Sequence, residues 1–342
     1  MAYKSLREFC GILEKKGELI RVSEKADTRL EISEIADRMS KSEGGGKALL
    51  FENTGYDFPV LINMLGSHKR MLAALNVESY DLKAEEISKL FKKMTGPQKS
   101  LKDKLALLPE LSRIASFMPG KQRRKAACKE IISLEPDLNK FPILTTWPND
   151  AAPFITLPQV ITKDPDTGIR NVGMYRMQVI DGQTTGMHWH KHKVGARHYN
   201  AYKKRGERMP VAVALGGDPL LTFSAVAPLP DNIDEYMLAG FLRKKKVKMV
   251  KAETQDIEVP ADADIIIEGY IDPEEELFWE GPFGDHTGFY SLADWYPKFH
   301  ITAISHRKDA IFPATTVGIP PMEDAYISKA IERIFLAPIQ LT

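Results

Sequence analysis

NVGMYRMQVIDGQTTGMHWHKH, Asn171 to His192, holds the densest cluster of chemically useful side chains in this sequence. An amide, Asn171, and a guanidinium, Arg176, stand on an otherwise apolar strand. The chain turns at Asp181-Gly182 and returns through His188, His190 and His192. Asn171 and Arg176 lie five apart, so in a regular strand they face opposite sides. They share a site only if Asn171 lies in the approach to the strand or Gly173 allows a bulge; otherwise they are a turn-forming Asn and an exposed arginine. The three histidines alternate, so in a strand all point one way and form a candidate metal face.

Two acidic segments further along supply what such a stretch needs as partners. In Asp231-Asn232-Ile233-Asp234-Glu235-Tyr236, Asn232 followed by Glu235 fits a capping box at a helix start. Glu235 reads first as a cap for the first-turn N–H groups. In Glu280-Gly281-Pro282-Phe283-Gly284-Asp285-His286-Thr287-Gly288, two acids sit five apart on a loop stiffened by Pro282 and loosened by glycines. Loops of this kind hold carboxylates in fixed geometry for proton transfer, and a plain turn needs neither acid. Glu274, Glu275 and Glu276 read as a solvated charge run.

Around these segments the chain alternates in texture. Ser5 opens a short amphipathic helix carrying Leu6, Phe9, Cys10 and Leu13, and Gly17 stops it. A strand over Glu18 to Val22, a helix over Leu30 to Ser40, and strands over Ala48 to Glu52 and Pro59 to Met64 follow. Helices are expected over His68 to Leu75, Asp81 to Met94 and Leu101 to Met118. Gly44-Gly45-Gly46-Lys47 lacks the Ser or Thr and the following helix of a phosphate-binding loop, and reads as a turn. Residues 1–125 thus form an α/β domain closed by a basic linker, Lys121 to Lys125. Residues 126–316 are punctuated by prolines and hold short strands over Leu157 to Thr162, Val172 to Ile180, Val211 to Leu215, Leu221 to Val226, Asp264 to Tyr270 and Lys298 to His306. That spacing suggests an antiparallel barrel or sandwich, interrupted by one helix over Ile233 to Lys246. In residues 317–342, Tyr326, Ile327, Ala330, Ile331, Ile334 and Phe335 form one helical stripe, which either packs back on the body of the chain, meets another subunit, or meets sequence that would follow Thr342.

Composition sets outer bounds. At 342 residues the chain is long for one core. With 47 Lys and Arg against 46 Asp and Glu, a net charge of +1 asks for no nucleic-acid partner. Cys10 and Cys128 show no metal-ligand spacing and suit a reducing compartment. The N-terminus has no apolar signal-peptide core and no run approaches a membrane span, so a cytoplasmic protein is expected.

At Asn171-x-Gly-Met-x-Arg176, His192, Pro228-Leu-Pro…Glu235 and Glu280-Gly-Pro-Phe-Gly-Asp285, the sequence resembles the UbiD-type decarboxylases, which use prenylated FMN. The resemblance covers the chain from near its start to Thr342. It implies an α+β architecture, with the N-terminal α/β domain followed by a flavin-reductase-like split β-barrel. It also implies that the last helix leads to a further C-terminal domain, which would supply a phosphate-binding lysine and subunit contacts. Asn171, His192 and Glu235 would hold Mn²⁺ or Mg²⁺ bridging to the cofactor phosphate, a coherent set of hard oxygens and an imidazole. A monovalent ion, typically K⁺, would lie near Glu235 and the Ser224, Ala225 and Ala227 segment. Thr156, Met174, Tyr175, Arg176, Lys191 and His192 match positions that contact the flavin or its phosphate. Arg176, Glu280 and Asp285 match the catalytic Arg-acid-acid network, with Asp285 as the proton donor, its pKa raised in a dry pocket. His188 and His190 are left without a role.

The activity so implied is non-oxidative decarboxylation of an aromatic acid of hydroxybenzoate type, or of an α,β-unsaturated acid. The Asp285-His286-Thr287-Gly288 form resembles the aromatic-acid branch, which includes the 4-hydroxy-3-polyprenylbenzoate decarboxylase of ubiquinone synthesis. Implied partners are a flavin prenyltransferase as cofactor supplier and further copies of the chain in a homo-oligomer. A polyprenylated substrate would add peripheral membrane association. The rival readings are a flavin-binding or assembly module, or an inactive short form. A zinc hydrolase built on the three histidines leaves the Glu280 to Asp285 loop idle.

Overall fold

A computed structural model describes residues 2–95, 109, 111–123, 125–231 and 233–340. The chain opens with the helix Leu6–Lys15, whose N-cap Ser5 accepts from the Glu8 N–H and whose buried face is Leu6, Phe9, Cys10 and Leu13. It ends before Gly17, at positive φ. A four-stranded sheet follows, in the order Leu19–Lys25, Ala48–Asn53, Val60–Ile62 and Phe312–Ala314. The last strand arrives from the far end of the chain and pairs in parallel with Val60–Ile62. Helices Glu31–Ser40, His68–Leu75 and Tyr80–Thr95 accompany this sheet. The helix expected over Leu101 to Met118 lies largely outside the described residues; its end, 111–115, is helical.

The Gly44 to Gly46 turn is neither loose nor an anion cradle. The Gly45 carbonyl accepts from Asn63 Nδ2 and from Arg70 Nη2, and the Gly46 carbonyl from Arg70 Nη1. A Cβ on Gly45 would sit 2.0 Å from the Gly66 carbonyl oxygen, so this backbone is packed against its neighbour.

The second sheet has seven strands, in the order Thr184–Gly186, Lys298–His306, Ile265–Ile271, Met209–Leu215, Gln159–Lys163 and Arg170–Met174, with Ile131–Ser133 branching onto Lys298–His306. All its pairings are antiparallel. Its two end strands do not pair with each other, so the sheet does not close into a barrel. Apolar residues of both sheets, among them Leu49, Phe51 and Val60 with Val160, Val213 and Ile267, form one core cluster. The architecture is mixed α/β.

Two sequence expectations change, and one open alternative is decided. Leu221 to Val226 is not a strand: Pro219–Ser224 is a short helix, capped by the Asp218 side chain, which accepts from the Leu220 N–H, with Pro219 in the first turn. An apolar run of this length carries no period, and the cap decides it. The strand expected over Val172 to Ile180 is interrupted. The stripe on the terminal helix Glu323–Gln340 is covered by the chain itself: Ile327, Ala330, Ile334 and Phe335 are buried among residues of Leu6–Lys15, His68–Leu75 and Tyr80–Thr95. It therefore marks no open docking face.

Two buried acids tie the N-terminus to this frame. Asp264 accepts from the N–H groups of Leu6, Gly217 and Ile311. Asp218 accepts from the Tyr3 and Leu220 N–H groups and pairs with Arg243 at 3.2 Å, both side chains essentially inaccessible.

Candidate active site

The strand Arg170–Met174 pairs in unbroken register with Gln159–Lys163, from Arg170 opposite Lys163 to Met174 opposite Gln159. Asn171 is therefore inside a regular strand, not in its approach, and Gly173 makes no bulge. The departure comes two residues later. Tyr175 and Arg176 belong to no strand, and pairing resumes at Met177–Gln178 with Phe154–Ile155. Gly173 is needed for a different reason: a Cβ there would lie 2.4 Å from the Tyr175 ring, which folds back over it. The break frees Arg176 from the parity of the strand that holds Asn171. At the same point the Met174 N–H donates to the Ala225 carbonyl at 3.2 Å, setting this segment against Ser224 to Ala227.

Arg176 is mostly buried and binds three side chains at once. Its Nε donates to Glu280 Oε1 at 3.1 Å, Nη1 to Asp285 Oδ2 at 3.1 Å and Nη2 to Ser291 Oγ at 3.0 Å. Its guanidinium lies 4.7 Å from the centre of the Phe283 ring. The guanidinium fork carries five N–H donors, so two are left for a ligand. The acidic loop is anchored from elsewhere in the chain. The Gly281 N–H donates to Gln178 Oε1 at 2.7 Å and the Gly284 N–H to Asp150 Oδ1 at 2.8 Å. Asp150 is itself held by Thr146 and Trp147.

The three-histidine face does not form. Thr184–Gly186 ends before His188, and residues 187–190 are irregular. His188 is buried at the acids instead, with Nδ1 2.8 Å from Glu280 Oε1, Nε2 3.2 Å from His190 Nε2, and its ring against Tyr296. Among the described residues no group of three or more His, Cys, Asp and Glu side chains could hold a metal. Sequence reasoning missed Ser291, Gln178 and Asp150, and it gave His188 a place on a metal face but not beside Glu280. For His188, the only signal was its shared stretch with Arg176.

Burial pushes the Asp285 carboxyl up, but its bonds to His286 and the charge of Arg176 outweigh this and hold it below the ordinary carboxylate value. The expected raised pKa of this acid is thus reversed. Glu235 behaves the other way: burial pushes it up to about 7, against the N–H of Val172, which donates to it at 2.8 Å. Glu235 opens the helix Glu235–Arg243, whose cap is Asp234 and not Glu235; Asn232 lies outside the described residues. Glu235 reaches across to the strand of Asn171, and both line a pocket of about 190 Å³ with Arg197, His198 and Asp231. Those two oxygen donors, one a desolvated carboxylate, suit a hard divalent cation. His192 and Lys191 are exposed on the turn before the helix Val194–Arg205, and His192 does not line this pocket.

Thr156 lies half-buried and its hydroxyl accepts the Thr315 N–H at 2.9 Å. Ser224 Oγ is fully buried with no hydrogen-bond partner, an orphan that a polar cofactor atom would satisfy.

A pH prediction follows for the metal-free chain. Burial raises Glu235 from 4.5 to about 7, so the fold favours its neutral form. Its contribution to stability is fully present below about 4.5 and lost as pH rises through about 7. Glu235→Gln is expected to stabilise the metal-free chain at pH 8 by on the order of 3 kcal/mol. The difference should vanish near pH 4 in denaturant titrations, and Mn²⁺ should stabilise only the unsubstituted chain.

The model of the 3-octaprenyl-4-hydroxybenzoate carboxy-lyase Rift-related domain matches residues 121–320, and that of the N-terminal domain of the same lyases matches residues 10–91. An uncharacterized protein of Archaeoglobus fulgidus is 52% identical over 344 aligned residues, covering 100% of this chain and 69% of its own. The vanillic acid decarboxylase of Sedimentibacter hydroxybenzoicus in its closed form superposes with a TM-score of 0.82 at 29% identity, over 96% of this chain and 67% of that one. An evolved dimeric form of the UbiD-class enzyme HmfF from Pelotomaculum thermopropionicum, in complex with prFMN, gives 0.81 at 29%, over 99% and 72%. With both domain models matched in order along it, the chain belongs to the UbiD family of carboxy-lyases.

Proposed function

We propose that this chain carries out non-oxidative decarboxylation of an aromatic acid of hydroxybenzoate type, or of an α,β-unsaturated acid, with prenylated FMN. The observation that carries this reading is Arg176 joining Glu280 and Asp285 in a mostly buried cluster with two N–H donors to spare. The similarity to a vanillic acid decarboxylase and to HmfF, which is seen in complex with prFMN, supports it. When bound, the prenylated flavin would supply the electron sink that loss of CO₂ requires. Thr156, the Met174 to Arg176 segment, Lys191, Ser224, Ala225 and Ala227 are the residues that would hold it, with His192 toward its phosphate. Asn171 and Glu235 would hold Mn²⁺ or Mg²⁺, with His192 joining them from the neighbouring turn, and K⁺ would sit by Glu235 and Ser224.

The substrate carboxylate binds at the free donors of Arg176, whose charge is fixed by its two acids. Glu280 and Asp285 orient that guanidinium and flank the reacting carbon. Phe283 and Tyr296 exclude water from it, which strengthens each of these charge-assisted bonds.

We place the chain in the cytoplasm, where its two buried free thiols, Cys10 and Cys128, suit a reducing compartment. We divide it at 125 and 316, read the second sheet as a split barrel, and take the working form to be a homo-oligomer supplied by a flavin prenyltransferase. No helix among the described residues is long and apolar enough to cross a membrane; a polyprenylated substrate would bring peripheral association.

The test is co-production with a flavin prenyltransferase, then Mn²⁺ addition and CO₂ release from a panel of hydroxybenzoates and cinnamates. Bound flavin absorbance with turnover of at least one acid is expected. A colourless protein that releases no CO₂ refutes the reading.

A further inference from the structure

A hydrogen-bonded chain of side chains runs from the interior of the site to its surface. Glu280 Oε1 accepts from Arg176 Nε at 3.1 Å, Arg176 Nη1 donates to Asp285 Oδ2 at 3.1 Å, and Asp285 Oδ1 lies 2.8 Å from His286 Nδ1. Along it the four side chains are 0%, 11%, 28% and 66% exposed, so His286 is the end that meets water. The backbone fixes His286 in this place. Its N–H donates to Asp285 Oδ1 at 2.8 Å. The turn that carries it is closed by the Asp285 N–H on the Phe289 carbonyl at 3.1 Å and by the Gly288 N–H on the Asp285 carbonyl at 3.0 Å, with Gly288 at positive φ.

This order restricts how a proton reaches Asp285. On the inner side stands Arg176, and a guanidinium does not give up a proton inside a protein. On the outer side stands an imidazole, the side-chain type that takes and gives protons near neutral pH and has two nitrogens to do so. Beside a carboxylate oxygen that accepts, its Nδ1 carries the hydrogen. Asp285 holds no standing proton of its own. Burial pushes its carboxyl up, but its bonds to His286 and the charge of Arg176 hold it below the ordinary carboxylate value.

Resting on the decarboxylase reading above, with Asp285 as the acid that meets the reacting carbon, we propose that His286 passes protons from water to Asp285. It acts through Asp285 and not on the substrate, as a positioning residue that also delivers the proton. The N–H bond at Nδ1 breaks as an O–H bond forms at Asp285 Oδ1, while Nε2 takes a proton from water. The C–C bond to the substrate carboxylate breaks and CO₂ leaves. The Asp285 O–H bond then breaks, and the electron pair of the lost C–C bond ends in a C–H bond at the same carbon. Asp285 is again a carboxylate, and the exposed ring returns to its Nδ1–H form by exchange with water.

The experiment has two arms. In the first, ¹⁵N NMR of the histidine-labelled chain, assigned with His286→Asn, reads the ring and needs no turnover. A neutral ring with its hydrogen mainly on Nδ1, moving toward Nε2 in Asp285→Ala, is expected; an Nε2–H ring indifferent to Asp285→Ala overturns the bond. In the second, kcat and KM are measured on an acid that the unsubstituted chain turns over, with bound flavin and Tm checked in each variant. His286→Ala should lower kcat by ~100-fold with KM little changed, the low end of what one proton-transfer group supplies. His286→Asn, whose amide can donate to Oδ1 but has no proton to pass on, should do no better. Added imidazole should restore at least a tenth of the lost kcat to His286→Ala. Recovery by His286→Asn, which a merely structural bond predicts, overturns the proposal, as does an unchanged kcat in His286→Ala or no response to imidazole. Turnover that survives every His286 variant strikes the relay alone. If no acid is turned over at all, the decarboxylase reading fails and the relay with it, while the NMR arm still decides whether His286 is bonded to Asp285.

Discussion

Arg176→Ala is expected to lower kcat/KM by at least ~10³-fold, the scale on which removing preorganised charge stabilisation acts. The side chain binds Glu280, Asp285 and Ser291 together, so its loss strips a donor from each of the two acids and removes the proposed substrate clamp. Arg176→Lys should recover little, because one ammonium cannot span three partners that a planar fork reaches. Steady-state kinetics paired with melting curves separates the effects. A folded, flavin-loaded Arg176→Ala protein with near-normal kcat/KM would remove Arg176 from the mechanism.

The second large effect is on stability. Arg243→Ala leaves the Asp218 carboxylate buried without its 3.2 Å partner, and breaking such a pair costs about 3–5 kcal/mol. The loss should spread to function, since Asp218 also caps Pro219–Ser224 and so sets the segment from Ser224 to Ala227. Arg243→Met combined with Asp218→Asn should recover most of the stability, because no unpaired charge remains. Urea unfolding of the single and double variants checks this; a single variant within 1 kcal/mol of the parent (roughly the median worth of an exposed pair) would show that the pair is solvated.

What the sequence made legible was local. Ser5 as cap and the spacing of Leu6, Phe9, Cys10 and Leu13 specify the first helix, and the strand Lys298–His306 falls on its expected residues. Pro219–Ser224 was not legible, because all six side chains are buried, Thr222 and Ser224 included, and a run with no exposed face does not reveal its period. The return of Phe312–Ala314 to the first sheet is a pairing across some 250 residues, with no local signature. In the site, the acids and Arg176 were found from their motifs, whereas the use of His188 depends on a partner 92 residues away. The reversal at Asp285 has the same cause: its engagement by His286 and Arg176 is set by the loop's conformation, and residue type alone suggests only a desolvated acid.

The most direct test of a decarboxylase at this site is turnover of a carboxyl-¹³C hydroxybenzoate in D₂O by the flavin- and Mn²⁺-loaded protein. One ¹³CO₂ should appear per product molecule, with one deuterium at the carbon that carried the carboxylate. Product without that deuterium, or no ¹³CO₂ from any acid in the panel, would contradict the account.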